Sequence, residues 1–249
     1  MDFDNWPDYP SELGLALTDS PELIRMATDL DLWEEGEGLA VWAPVHAWRS
    51  LGQLRSVEAI EPLMQLFEDR DNEWAIEELP DVYALIGPEA ISALSEYLCN
   101  AGNETWPRSV ASDSLEKIAV AYPDRREICI ASLTKALSEF LSNDDALNGL
   151  LICNLIELKA LESAPLIEQA FAADMVDEMI PGTWPAVQVE LGLKRKEDFT
   201  KEELQPKLNF DLQEMRKLIN ILGAQQSKPT GFGAPVQTKN KKGKKKKKK

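Results

Sequence analysis

Residues 42–67 read WAPVHAWRSLGQLRSVEAIEPLMQLF, and the spacing of their apolar positions decides the fold. Trp42 is followed at intervals of 32 residues by Trp74 and then Trp106. Five, nine and twelve places beyond each tryptophan stand Ala47, Leu51 and Leu54; Leu79, Tyr83 and Ile86; and Ala111, Leu115 and Ile118. All nine are apolar, and steps of four and then three place them on one stripe of a helix. The period of 32 is therefore structural, and repeats of this length signal stacked supersecondary units.

Each unit carries a second amphipathic segment. VEAIEPLMQLF follows SLGQLRS, PEAISALSEYL follows YALIG, and DRREICIASLTKALSEFL follows KIAVAYP. Gly87-Pro88 closes one helix and sets Pro at the first position of the next, and Pro123-Asp124 does the same work. A fourth unit, LLICNLIELKALESAPLIEQAF, restores the stripe as Leu151, Leu155 and Leu158. Its offset from the third is 40, which a longer second helix in unit three accommodates. Helix pairs that cannot bury their stripe alone must stack on neighbours. The expected fold class is all-α: an α-solenoid of about four helix pairs with a C-terminal helical extension and a disordered basic tail.

HAWRSLGQLRSVEAIEPLMQLF and VYALIGPEAISALSEYL resemble HEAT-like repeats of the short type named after phycobilisome-lyase subunits. The resemblance covers about residues 41–173 and implies a binding scaffold. A lyase activity would be implied by the repeat's namesake alone, since no residue here supports it. Around the array, residues 1–40 read as an acidic segment with a capping helix in which Ser20 is the N-cap and Pro21 the first helical residue. Residues 174–223 read as a helical extension with a last helix near Phe210–Leu222 ending at Gly223. Residues 224–249 lack periodicity and should be disordered.

Charge divides the chain. Ten of its 27 lysines and arginines lie from Lys228 onward, where there is no Asp or Glu. Residues 1–227 then hold 17 basic against 43 acidic groups, a formal charge of −26. No run of about 18 uncharged apolar residues is present, so no membrane span is expected. The acidic start MDFDNWPDYPSELG is not a secretory signal. Cys99, Cys129 and Cys153, an odd count in apolar settings, read as reduced core thiols, and the expected compartment is the cytoplasm.

Catalytic signatures are absent. His46 is the single histidine, which excludes a multi-histidine metal site, and no phosphate-binding loop occurs. GFGAPV follows no strand and opens no helix. DLDLWEEGEG (Asp29 to Gly38) has the acidity of a calcium loop but carries Glu34 where Gly is needed and Ala40 where Glu is needed. His46 could in principle serve one of the cysteines as a base, but packed or solvated imidazole is the ordinary case. Glu73, Glu77, Glu78 and Asp81 could form an acid/base pair, against the default of a solvated face. The chain is read as non-enzymatic, with no catalytic residue, cofactor or metal.

Two features carry binding content. Trp42, Trp74 and Trp106 should line one edge of the stack, either sealing the joints between units or forming an exposed aromatic ledge of the kind enriched at binding hot spots. Glu58, Glu61 and Glu68, Glu89 and Glu96, and Glu162 and Glu168 lie on second helices, which in HEAT-like arrays line the concave face. A negative groove there would suit a basic protein partner and disfavour nucleic acid. The tail lysines (Lys239, Lys241, Lys242 and Lys244, Lys245, Lys246, Lys247, Lys248, Lys249) could fold back on the acidic body, reach RNA, the ribosome or another polyanion, or serve solubility alone.

Overall fold

Why the apolar stripes form helices, and where those helices stop, follows from the local chemistry at their ends. The computed structural model describes residues 6–29, 31–32, 38–69 and 72–206. Among these residues all regular structure is helical, with eleven α-helices and no strand. The expected helix at Phe210–Leu222, the lysine tail and most of Asp29 to Gly38 lie outside the described residues.

Two short helices come first, α1 (Tyr9–Leu13) and α2 (Ser20–Ala27). Four helix pairs follow. They are α3 (Ala43–Gln53) with α4 (Ile60–Met64), α5 (Glu73–Ile86) with α6 (Ile91–Cys99), α7 (Thr105–Ala121) with α8 (Arg126–Ser138), and α9 (Asp145–Glu157) with α10 (Ala164–Ala172). The last described helix is α11 (Trp184–Glu190). The second helix of pair three is 13 residues long, against nine in pairs two and four.

The same turn recurs in every pair. Each second helix is entered through a three-residue 3-10 turn, at Val57–Ala59, Pro88–Ala90, Pro123–Arg125 and Leu161–Ser163. Helices α3, α9 and α10 close alike, with left-handed Arg55, Lys159 and Asp174. In each, the next residue's N–H reaches back five residues in the Schellman pattern, as from Ser56 to the Leu51 carbonyl (3.0 Å) and from Ala160 to the Leu155 carbonyl (2.9 Å). Side-chain oxygens of Asn72, Asp144 and Thr183 cap the starts of α5, α9 and α11.

Ser20 departs from its expected capping role. The turn Leu17–Asp19 runs directly into α2, so Ser20 already has helical angles (φ −52°, ψ −42°) and Asp19 takes the N-cap position. The Asp19 carboxylate serves the preceding turn instead, accepting from the Ala16 N–H at 2.8 Å.

Packing follows the sequence stripe. Helix α5 lies against α3 and α7, and α7 against α5 and α9; among second helices, α8 meets both α6 and α10. Of the twelve stripe residues, eleven are buried and only Leu54 is half-exposed to the surface of that core. Burying such side chains contributes about 1.5–3 kcal/mol each. Close approach is set at Gly149, whose added Cβ would stand 3.0 Å from Ile180 Cβ and 3.2 Å from Pro181 Cδ. Residues 180–181 can therefore rest directly on α9.

Buried polar groups connect neighbouring helices. The Arg49 guanidinium and Glu78 carboxylate, 1% and 2% exposed, form an ion pair between α3 and α5, with Arg49 Nε 2.7 Å from Glu78 Oε2. The Trp48 indole N–H donates to the same oxygen at 3.0 Å. Further along, Arg108 donates to the Leu98 carbonyl (2.7 Å) and Asn143 (3.1 Å), and Asn143 donates to Asn148 at 3.0 Å. These bonds satisfy groups that would otherwise be costly to bury. The described residues belong to one compact unit that ends at Pro206.

Candidate functional site

The acidic residues of the second helices are brought together in part. Glu58, Glu61, Glu89 and Glu96 line one depression of about 530 Å³, between residues 57–62 and residues 89–96. Ile60, Pro62, Ser92 and Ala93 complete its lining, and no lysine or arginine among the described residues lines it. All four glutamates are exposed. The 3-10 turns at Val57–Ala59 and Pro88–Ala90 put Glu58 and Glu89 at equivalent places, which is why they converge.

Beyond Glu96 the surface changes character. The adjoining depression, about 630 Å³, is shared by Glu96 with Ser92, Ser95, Ser132 and Lys135. The Ser95 hydroxyl donates to that of Ser132 at 2.7 Å across α6 and α8. Glu162 is 3.4 Å from Arg126, and Glu168 is exposed on α10. Glu68 accepts from the Tyr97 hydroxyl at 2.5 Å, and burial followed by that carboxylate holds the phenol well above its ordinary pKa. Of the seven glutamates, only Glu58, Glu61, Glu89 and Glu96 therefore share one depression.

The three tryptophans do not share one environment. Trp42 and Trp74 are partly buried against the core and meet edge to face, with centroids 5.1 Å apart and planes at 89°. Residues one repeat apart thus touch, as a seal between pairs requires. Trp106 is 44% exposed. It lines a depression of about 680 Å³ with Thr105, Glu73, Ile76 and Glu77.

The α5 carboxylates separate into three roles. Glu78 is committed to Arg49, Asp81 lies 3.0 Å from Lys117, and Glu73 and Glu77 face the Trp106 depression. Sequence reasoning missed the Arg49–Glu78 pair. Its one signal was two charged residues set beside stripe positions, Arg49 between Ala47 and Leu51 and Glu78 before Leu79. It also missed Asp113 and Glu116, whose pKa values burial raises. Asn154 donates to Asp113 at 2.9 Å, and Lys117 offsets part of the shift in both.

The remaining candidates have structural surroundings. His46 Nδ1 lies 2.7 Å from the Tyr9 hydroxyl, and burial, then the Arg49 charge, lowers its pKa while Glu78 opposes them. Gln53 accepts from the Tyr9 N–H (2.9 Å) and donates to the Pro7 carbonyl (2.8 Å), so α1 is clipped onto α3. Burial pushes the Cys129 thiol up to about 11, and burial with Asp113 and Glu157 raises that of Cys153. Both sulfurs are therefore held as thiols, poor nucleophiles at neutral pH. Among the described residues no group of three or more His, Cys, Asp or Glu is placed to hold a metal ion, and no helix is long and apolar enough to cross a membrane.

Comparisons with protein-family models, with curated proteins and with solved structures found no match to this chain.

Proposed function

We propose that this chain is a non-catalytic interaction scaffold, an α-solenoid of HEAT-like pairs that binds a basic protein partner in the cytoplasm. The convergence of Glu58, Glu61, Glu89 and Glu96 on one depression carries the reading. Four carboxylates along an open trough create a negative potential that speeds encounter with a cationic surface and selects against like charge. The apolar lining of Ile60, Pro62 and Ala93 lets the stems of long basic side chains pack while their heads meet the rim. Glu162 and Glu168 lie on pair four, outside this trough, and would add a separate acidic contact, with Arg126 tempering Glu162.

The test is titration of the full chain with a fluorescent oligolysine peptide at several salt concentrations. Changing Glu58, Glu61, Glu89 and Glu96 together to Gln should weaken binding at least tenfold at low salt and flatten its salt dependence, with the melting point unchanged. Equal binding by the two proteins would remove the reading.

A second reading rests on the lysine run from Lys239 to Lys249, a composition that favours contact with RNA or another polyanion. Phe232 is the one aromatic from Lys228 onward, so such contact would be electrostatic and without sequence readout. Ribosome co-sedimentation lost on nuclease treatment or on removal of residues 228–249 is its expected signature. The lyase-type alternative has only the repeat resemblance behind it.

A further inference from the structure

We propose that the depression between α5 and the start of α7 receives an arginine side chain of the partner, with Trp106 as its stacking face and Glu73 and Glu77 as its carboxylates. The proposal rests on the scaffold reading but uses a surface that shares no residue with the Glu58–Glu96 trough.

Trp106 is the third ring of a row whose first two members are spent on each other and on the core. It is 44% exposed at the edge of a depression of about 680 Å³. A large apolar ring left in solvent gives up burial that Trp42 and Trp74 obtain, and a ligand covering it would recover that burial. Glu73 and Glu77 are exposed and four residues apart, so they stand one turn apart on the same face of α5. Exposed carboxylates pair only weakly with cations in water, so they alone would not hold a ligand. Beside an indole face the balance changes, because a cation over the ring also gains from its quadrupole while its open side stays in water.

Arginine fits this combination better than lysine. Its planar guanidinium can lie on the indole and still present a fork of N–H donors to a carboxylate, whereas an ammonium acts as a strongly hydrated point charge. Ile76 supplies an apolar wall for the methylene stem. The positive ends of α5, which begins at Glu73, and of α7, which begins at Thr105, each oppose a cation weakly. The two full carboxylate charges outweigh these two half-charges.

The experiment titrates the full chain with three otherwise identical Gly-rich peptides carrying arginine, lysine or citrulline. Indole N–H signals are followed by NMR, with Trp106 assigned through Trp106→Phe. The arginine peptide should shift the Trp106 signal and bind at least threefold tighter than the lysine peptide, and the citrulline peptide should leave the signal in place. Trp106→Ala and the pair Glu73→Gln/Glu77→Gln should each weaken arginine binding about tenfold without lowering the melting point. If both variants bind like the parent chain, the proposal is overturned. Should the loss appear instead in the Glu58/Glu61/Glu89/Glu96 variant alone, the pocket falls and the trough reading stands. Loss in none of them overturns both.

Discussion

Replacing Glu78 by Ala is the sharpest probe of how the first two helix pairs are held together. The substitution leaves the Arg49 guanidinium, 1% exposed, without its carboxylate, and it removes the acceptor of the Trp48 indole N–H at 3.0 Å. Breaking a buried ion pair from one side costs about 3–5 kcal/mol, since the remaining charge is stranded in a poor solvent. The cation–π contact with the Trp6 ring, 4.9 Å from the guanidinium carbon, is present before the change and does not replace the lost carboxylate. A net loss of about 4 kcal/mol is expected, which for a unit of this size lowers the melting temperature by roughly 8–16 °C. Urea unfolding at neutral pH would measure it, with Glu77→Ala as the exposed control, expected within about 0.5 kcal/mol of the parent. Joint replacement of Arg49 by Met and Glu78 by Leu should recover at least half of the loss, because no charge is then stranded. A loss under about 1 kcal/mol in Glu78→Ala would show that Arg49 reaches water and would refute the reasoning.

Three further outcomes are expected. His46 has a pKa below its ordinary 6.5 in the folded chain, and its Nδ1 can accept from Tyr9 only while unprotonated. Its contribution is therefore complete above pH 6.5 and is lost as pH falls toward the lowered value, because the unfolded chain takes up the proton first. The stability difference between pH 7.5 and 5.5 should shrink in His46→Gln, and an unchanged difference would exclude His46 as its source. Gly149→Ala should destabilise by about 1–2 kcal/mol despite alanine's better helix propensity, since its Cβ would crowd Ile180 and Pro181; a higher urea midpoint would show that segment to be free to retreat. Cys129, buried and with its thiol pushed up to about 11, should react with a thiol reagent only as fast as the protein opens, so rapid labelling in native buffer would contradict its packing.

Across the four pairs, the sequence by itself determined where helices form and which face of each first helix is buried. The i, i+4, i+7 stripe is a one-dimensional record of a local geometry, and burial follows it at eleven of twelve positions because those side chains have no better place than a helix–helix contact. The second-helix glutamates are exposed as well, since the buried positions of those segments are the apolar ones. Ser20 shows the limit even for local structure. Ser before Pro reads as a cap, but an incoming 3-10 turn had already made that residue helical.

What only the tertiary structure decided was the fate of residues with equal local standing. Glu73, Glu77, Glu78 and Asp81 lie within three turns of one helix, yet one is buried on Arg49, one pairs with Lys117 and two are left to solvent beside Trp106. Trp42, Trp74 and Trp106 occupy the same repeat position, yet two pack together and the third is open. The physical reason is that periodicity specifies an angle about one helix axis, whereas burial and pairing depend on which neighbouring helix lies across that angle and how closely it approaches. Those quantities arise from contacts between residues about 30 positions apart, and only the packed chain sets them.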